Sequence, residues 1–144
     1  MNKYIGVLIL AILITGCKNQ DPGEQLDHLN GYWEIERVEF SKDSIREFKI
    51  NEFVDFIEIK DGTGFRKKVR PEFDATYTVT DDSEKVLAKI EDGKLNLYYT
   101  TPFDSWMETV IKAEESKLSI KNDRGIIYQY KRFTPLLSDY EEKE

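Results

Sequence analysis

Cysteine is nearly missing: position 17 holds the only one in 144 residues. A fold built from this chain cannot use an internal disulfide and must rely on its core. Histidine is equally scarce, with His28 alone, beside Asp27. With no second imidazole and no free thiol, Ser-His-Asp, Cys-His and His-rich metal sites are not expected. Positive charge is in deficit: 21 Lys and Arg face 28 Asp and Glu, a net of -7. Nucleic acid attracts basic surfaces, so no nucleic-acid partner is expected. Asp81, Asp82, Glu84 and Asp104 lack the twelve-residue spacing of a calcium loop. Nothing implies a cofactor or metal, and the chain is not expected to be an enzyme. No apolar run is long enough to cross a bilayer, which takes roughly twenty residues.

The longest such run, Ile5 to Ile14, follows Met1-Asn2-Lys3 and precedes Ile14-Thr15-Gly16-Cys17. A charged start, an apolar stretch and small residues before a cut read as a secretory signal peptide over residues 1–16. A cysteine directly after them resembles a bacterial lipobox, which implies that Cys17 is acylated and becomes the mature N-terminus. Two or three acyl chains would then hold the protein on a membrane, each buried CH₂ contributing about 0.8 kcal/mol. Lys18, where an inner-membrane retention signal often has Asp, points to the outer membrane. Residues 17–28 are polar and read as a lipidated cysteine with a flexible tether. The remaining chain is enough for one domain, residues 29–135, followed by an acidic tail at residues 136–144.

From Gly31 onward the dominant period is two. Phe73, Ala75, Tyr77 and Val79 oppose Asp74, Thr76, Thr78 and Thr80; Leu118 and Ile120 alternate with Lys117, Ser119 and Lys121. One apolar and one wet face per strand marks an antiparallel sheet. Asp61-Gly62, Asp92-Gly93 and Asn122-Asp123-Arg124-Gly125 supply residues that tolerate positive φ, as tight hairpins require. Asp81-Asp82-Ser83 and Glu114-Glu115-Ser116 read as looser turns. Strands are expected near 32–40, 53–60, 64–70, 73–80, 85–91, 94–101, 105–113, 117–122 and 126–133. Segment 41–52 fits a lid, a helical turn or another strand. The fold class is all-β, an up-and-down meander closing into a barrel of about 8–10 strands.

Leu29-Asn30-Gly31-Tyr32-Trp33 resembles the G-x-W opening strand of lipocalins and their relatives, in which the Trp plugs one barrel end beneath an Arg from a late strand. Arg132, in Tyr128-Gln129-Tyr130-Lys131-Arg132-Phe133, stands where that Arg is expected. Gly64-Phe65-Arg66-Lys67-Lys68-Val69 and Trp106-Met107-Glu108-Thr109 add to a likeness with small bacterial lipocalin-like lipoproteins over about residues 29–133. The pattern departs at Thr101-Pro102-Phe103-Asp104, where Thr-Asp-Tyr is expected. The resemblance implies a calycin-type barrel more than any one activity.

Three candidate sites follow. Trp33 with Arg132 is either a structural plug or, with Tyr128 and Tyr130, an anion site for a fatty-acid carboxylate. Phe65, Phe73, Tyr77, Trp106, Tyr128 and Tyr130, with Tyr98 or Tyr99, are expected inward, either as core or as the wall of a pocket for an apolar molecule. Arg66, Lys68 and Arg70 are expected outward, meeting lipid phosphates or acidic neighbours. Two functions from different classes compete: a lipid-anchored envelope protein holding a small apolar or lipid-like ligand, and an accessory subunit with a filled barrel. No particular protein partner is indicated.

Overall fold

A computed structural model describes residues 19–135. Cys17, the signal segment and the acidic tail lie outside the described residues. The chain forms a short helix, α1 (Pro22–Asp27), and nine strands: β1 (Gly31–Ser41), β2 (Ser44–Glu47), β3 (Val54–Lys60), β4 (Thr63–Pro71), β5 (Tyr77–Glu91), β6 (Lys94–Thr100), β7 (Ser105–Ala113), β8 (Lys117–Asn122) and β9 (Ile127–Arg132).

Neighbouring strands pair antiparallel in the order β2-β1-β3-β4-β5-β6-β7-β8-β9, and β1 also pairs with β9. That last pairing, running from Trp33 opposite Arg132 to Glu39 opposite Ile127, closes eight strands into a barrel. Closure leaves no long open edge. The ninth strand, β2, is the outcome for segment 41–52. It pairs only with β1, and all four of its residues are exposed.

The hairpin turns work as their chemistry requires. Asp61 and Gly62 both have positive φ (53° and 80°), as do Asp92 and Gly93 (50° and 71°). Two successive positive φ values match the right-handed twist of the flanking strands. Asp61-Gly62 therefore joins Lys60 directly to Thr63, and Asp92-Gly93 joins Glu91 to Lys94.

Two segments depart from the pattern read in the sequence. The runs expected at 73–80 and 85–91 form one strand, β5. Its pairing with β4 jumps from Lys67–Ser83 to Val69–Val79, so residues 80–82 make a bulge, not a turn. The second departure is at residues 22–27, expected within a tether. Asp21 caps a helix there, its carboxylate accepting from the amides of Gly23 and Glu24 at 3.0 and 3.2 Å, with Pro22 opening the first turn. Before it, Gln20 pairs by its side-chain amide with the backbone of Ala113 in both directions. Gln25 donates to the carbonyl of Ile111, which a register shift in β7 leaves outside the ladder.

Helix α1 and the turns at 61–62, 92–93 and 114–116 gather at one end of the barrel. Leu26 and Leu29 enter the core there with Trp33, Leu95, Ala113 and Leu118. The opposite end carries the connections 48–53, 72–76, 101–104 and 123–126. The packed end is closed, and the loop end is open.

Candidate functional site

At the closed end the Arg132 guanidinium lies over the Trp33 ring at 3.7 Å. It donates to three backbone carbonyls: Nη2 to His28 at 2.9 Å, Nη1 to Asn30 at 2.7 Å and Nε to Glu115 at 2.8 Å. All three of its nitrogens are therefore committed to the fold, which removes the reading of Arg132 as a grip for a fatty-acid carboxylate. Trp33 is fully buried and donates Nε1–H to the Leu29 carbonyl at 2.8 Å. Gly31 makes this stack fit. Its φ is +123°, and a Cβ there would sit 2.5 Å from Arg132 Nη1, so a side chain is excluded on both grounds.

Which residues face inward is settled by β3. Ile57 and Ile59 belong to the core, and their register partners are Arg66 and Gly64; Asp55, on the same face, opposes Lys68. Directly opposed residues share a face. Arg66 is thus interior, contrary to its expected outward placement; Lys68 shares that face and reaches in to Asp55 while staying exposed, and Arg70 is exposed at the rim. Phe65 and Tyr77 are outside, not in the barrel. Phe65 tilts against Phe56 (6.0 Å), Phe56 against Tyr32 (4.7 Å), and Tyr77 stacks on Tyr32 (4.3 Å). Phe73 lies in the β4–β5 loop, 92% exposed. With Tyr77, Phe133 and Arg70 it borders an external groove of about 590 Å³. Trp106, Tyr128 and Tyr130 do face the core, as does Tyr99, which opposes Trp106 and stacks on it at 5.3 Å.

The open half of the interior is charged. Arg66 lies across the Tyr99 ring at 4.2 Å, with Nε 2.5 Å from Glu84 and Nη1 3.4 Å from Glu108. Lys68 reaches buried Asp55 at 2.6 Å. Burial works against the charge on Arg66, but Tyr99, Tyr130, Glu108 and the bond to Glu84 outweigh it and hold the guanidinium ionised. Burial pushes the Glu108 carboxyl up, with Arg66 opposing. Burial likewise pushes the Tyr99 and Tyr130 phenols up, so both stay protonated donors. Two cations thus face three carboxylates, and burial raises the pKa of one of them, Glu108.

The Tyr99 hydroxyl is sealed from solvent, and the Glu108 carboxylate is the acceptor within its reach. At the loop end a pocket of about 430 Å³ opens among Ile35, Asn51, Glu52, Phe53, Lys68, Thr80 and Asp82. Ile35 is the register partner of Tyr130, and Lys68 that of Asp55, so these two lining residues share a face with the polar interior.

Sequence reasoning missed Arg66, Asp55, Glu84 and Glu108 as interior groups. One signal was available for the first two. The Asp61-Gly62 turn fixes Lys60 opposite Thr63, and counting back from it places Arg66 beside Ile57 and Lys68 beside Asp55.

No protein-family model matches the chain, and none of the curated proteins does. Among solved structures, it is similar to a lipocalin-like protein from Bacteroides uniformis ATCC 8492 (TM-score 0.47, 10% identity, covering 74% of this chain and 99% of that one). It is also similar to an uncharacterized protein from Bacteroides eggerthii DSM 20697 (TM-score 0.46, 8% identity, covering 72% and 98%). The eight-stranded antiparallel meander, closed by β1 on β9 over the Trp33–Arg132 plug, makes the fold lipocalin-like.

Proposed function

We propose that this chain is a lipid-anchored, non-enzymatic protein of the cell envelope whose barrel receives a small ligand at its open end. The observation that carries the reading is the contrast between the two ends. One is filled by Trp33, Leu29 and Arg132; the other has a pocket of about 430 Å³ whose lining mixes Ile35 and Phe53 with Asn51, Lys68 and Thr80. A barrel of eight strands has room for side chains or for one small molecule, and the open half combines apolar walls with a few polar groups, as ligand sites do. The envelope address rests on the signal-like segment 1–16 and the lipobox-like Cys17. Acyl chains on Cys17 would make the membrane its first partner, with the outer membrane favoured by Lys18.

Native mass spectrometry of the mature protein tests both halves together. An acyl mass on Cys17 and a small guest on the gently purified protein are expected. A protein with neither acyl mass nor guest, and with no uptake of added amphiphiles, refutes the proposal.

A second reading, an interaction subunit, is favoured by Ile50, Phe73 and Phe103. Each lies on a different loop at the open end and is more than 90% exposed. Crosslinking in cells that yields a discrete heteromeric band lost in the Phe73→Ser/Phe103→Ser variant would favour it over the ligand reading.

A further inference from the structure

We infer that the barrel is held with its closed end against the membrane and its open end turned to the aqueous phase, so that a ligand reaches the mouth from solution. The inference rests on the reading that Cys17 carries the acyl anchor, and it names the side from which the site is served. Residues 17–28 look like a slack tether in the sequence, yet the chain is fastened from residue 20 onward. The Gln20 side-chain amide donates to the Ala113 carbonyl and accepts from the Ala113 amide at 3.0 Å. Asp21 then caps α1, Gln25 holds the Ile111 carbonyl at 3.1 Å, and Leu26 and Leu29 pack on the core. Ala113 ends β7 at the closed end. Only Lys18 and Asn19 stand between Cys17 and this clamp. Three Cα steps span at most about 11 Å. The nine residues of β7, rising about 3.3 Å each at a tilt of about 40°, put the open end about 23 Å farther along the axis. A span that short holds the closed end at the lipid and leaves the mouth out of its reach while the barrel stands upright. The wall beside Gln20 gives no apolar face on which to lie flat, because Asn96, Thr109 and Lys121 are directly opposed across its outer surface. Ile50, Phe73 and Phe103, each more than 90% exposed at the loop end, therefore meet the aqueous compartment and not the membrane that holds the protein.

Fluorescence quenching at the vesicle surface tests the orientation. The acylated full chain is bound to the outside of phosphatidylcholine vesicles that carry a nitroxide on the lipid head group. A small fluorophore is attached through Glu115→Cys in the exposed closed-end turn, or through Phe103→Cys at the open end, Cys17 being blocked by its lipid. The label at position 115 is expected to lose its fluorescence and the label at 103 to keep it. Inserting about twenty Gly and Ser residues after Lys18, an r.m.s. span of about 25 Å, should abolish that contrast. Equal quenching at both positions, stronger quenching at 103, or none at either, in protein whose mass shows an acylated Cys17, overturns the inference and leaves the anchor intact. A contrast that survives the insertion overturns the role given to the short span and the Gln20 clamp. A mass with no acyl group on Cys17 overturns the inference together with the anchoring reading, so the two failures are told apart.

Discussion

Replacing Arg66 by methionine is expected to destabilise the protein in a pH-dependent way. Methionine keeps an unbranched apolar side chain but removes the charge between Glu84 and Glu108. Glu84 keeps 28% side-chain exposure and can lean on solvent, whereas Glu108 keeps only 9%. Left without a counterion, Glu108 avoids burying its charge by taking up a proton, and this sets a ceiling on the cost. Protonating a carboxyl of ordinary pKa about 4.3 at pH 7 costs about 3.7 kcal/mol, at about 1.36 kcal/mol per pH unit. At pH 5 the same ceiling is about 1 kcal/mol. Loss of the guanidinium from the Tyr99 face adds about 0.5–2 kcal/mol at either pH. The expected loss is therefore at most about 4–6 kcal/mol at pH 7 and about 1.5–3 kcal/mol at pH 5.

The sign follows from linkage. Burial already raises the Glu108 pKa in the folded state. Its contribution is most favourable below the unfolded value and is lost as pH climbs toward the folded one. Removing Arg66 raises the folded value further and extends that window upward. Urea unfolding of the Cys17→Ser chain without residues 1–16, at pH 5, 6 and 7, measures the effect. Arg66→Met/Glu108→Gln should recover most of the pH 7 loss, because glutamine needs no counterion. An equal loss at pH 5 and pH 7, or a double variant no more stable than the single one, would refute the buried-charge account.

Trp33→Ala is expected to cost about 3–5 kcal/mol, since a fully buried indole leaves a cavity at the closed end; an unchanged melting temperature would sink the plug. Gly31→Ala should cost at least about 1–3 kcal/mol from its φ of +123° alone, with more from displacing Arg132, and thermal unfolding reads it directly. Asp21→Ala removes the acceptor for two helix amides and should cost about 1 kcal/mol. Faster amide exchange confined to residues 22–28 is the accompanying signature, and its absence would mean the helix does not depend on this cap. Phe65→Ser, by contrast, should cost about 1 kcal/mol or less, because the ring lies half-buried on the outer wall. A loss of 3 kcal/mol there would restore Phe65 to the core.

The amino-acid sequence by itself determined the local geometry of this protein. Asp61-Gly62 and Asp92-Gly93 tolerate positive φ, so they dictate two-residue hairpins whatever surrounds them. Short strands joined by such turns have to form an antiparallel meander, and Gly31-x-Trp33 with a distant Arg132 marked its plugged end. With one cysteine and one histidine, the sequence offered no Cys-His pair away from the N-terminal segment and no His-rich cluster to read. Sidedness was decided only in three dimensions. Phe65, Lys67 and Val69 look like an inner face because two of the three are apolar. Barrel closure puts them outside, among Phe56, Tyr32 and Val54, and turns Arg66 and Lys68 toward Asp55, Glu84 and Glu108. Alternation fixes that neighbouring side chains point opposite ways; which way is inward depends on β1 meeting β9, a contact between the two ends of the domain. Helix α1 escaped for a related reason: six mostly polar residues have little helical stability alone, and theirs comes from an aspartate cap and from Leu26, Leu29 and Gln25 docking on strands formed far along the chain.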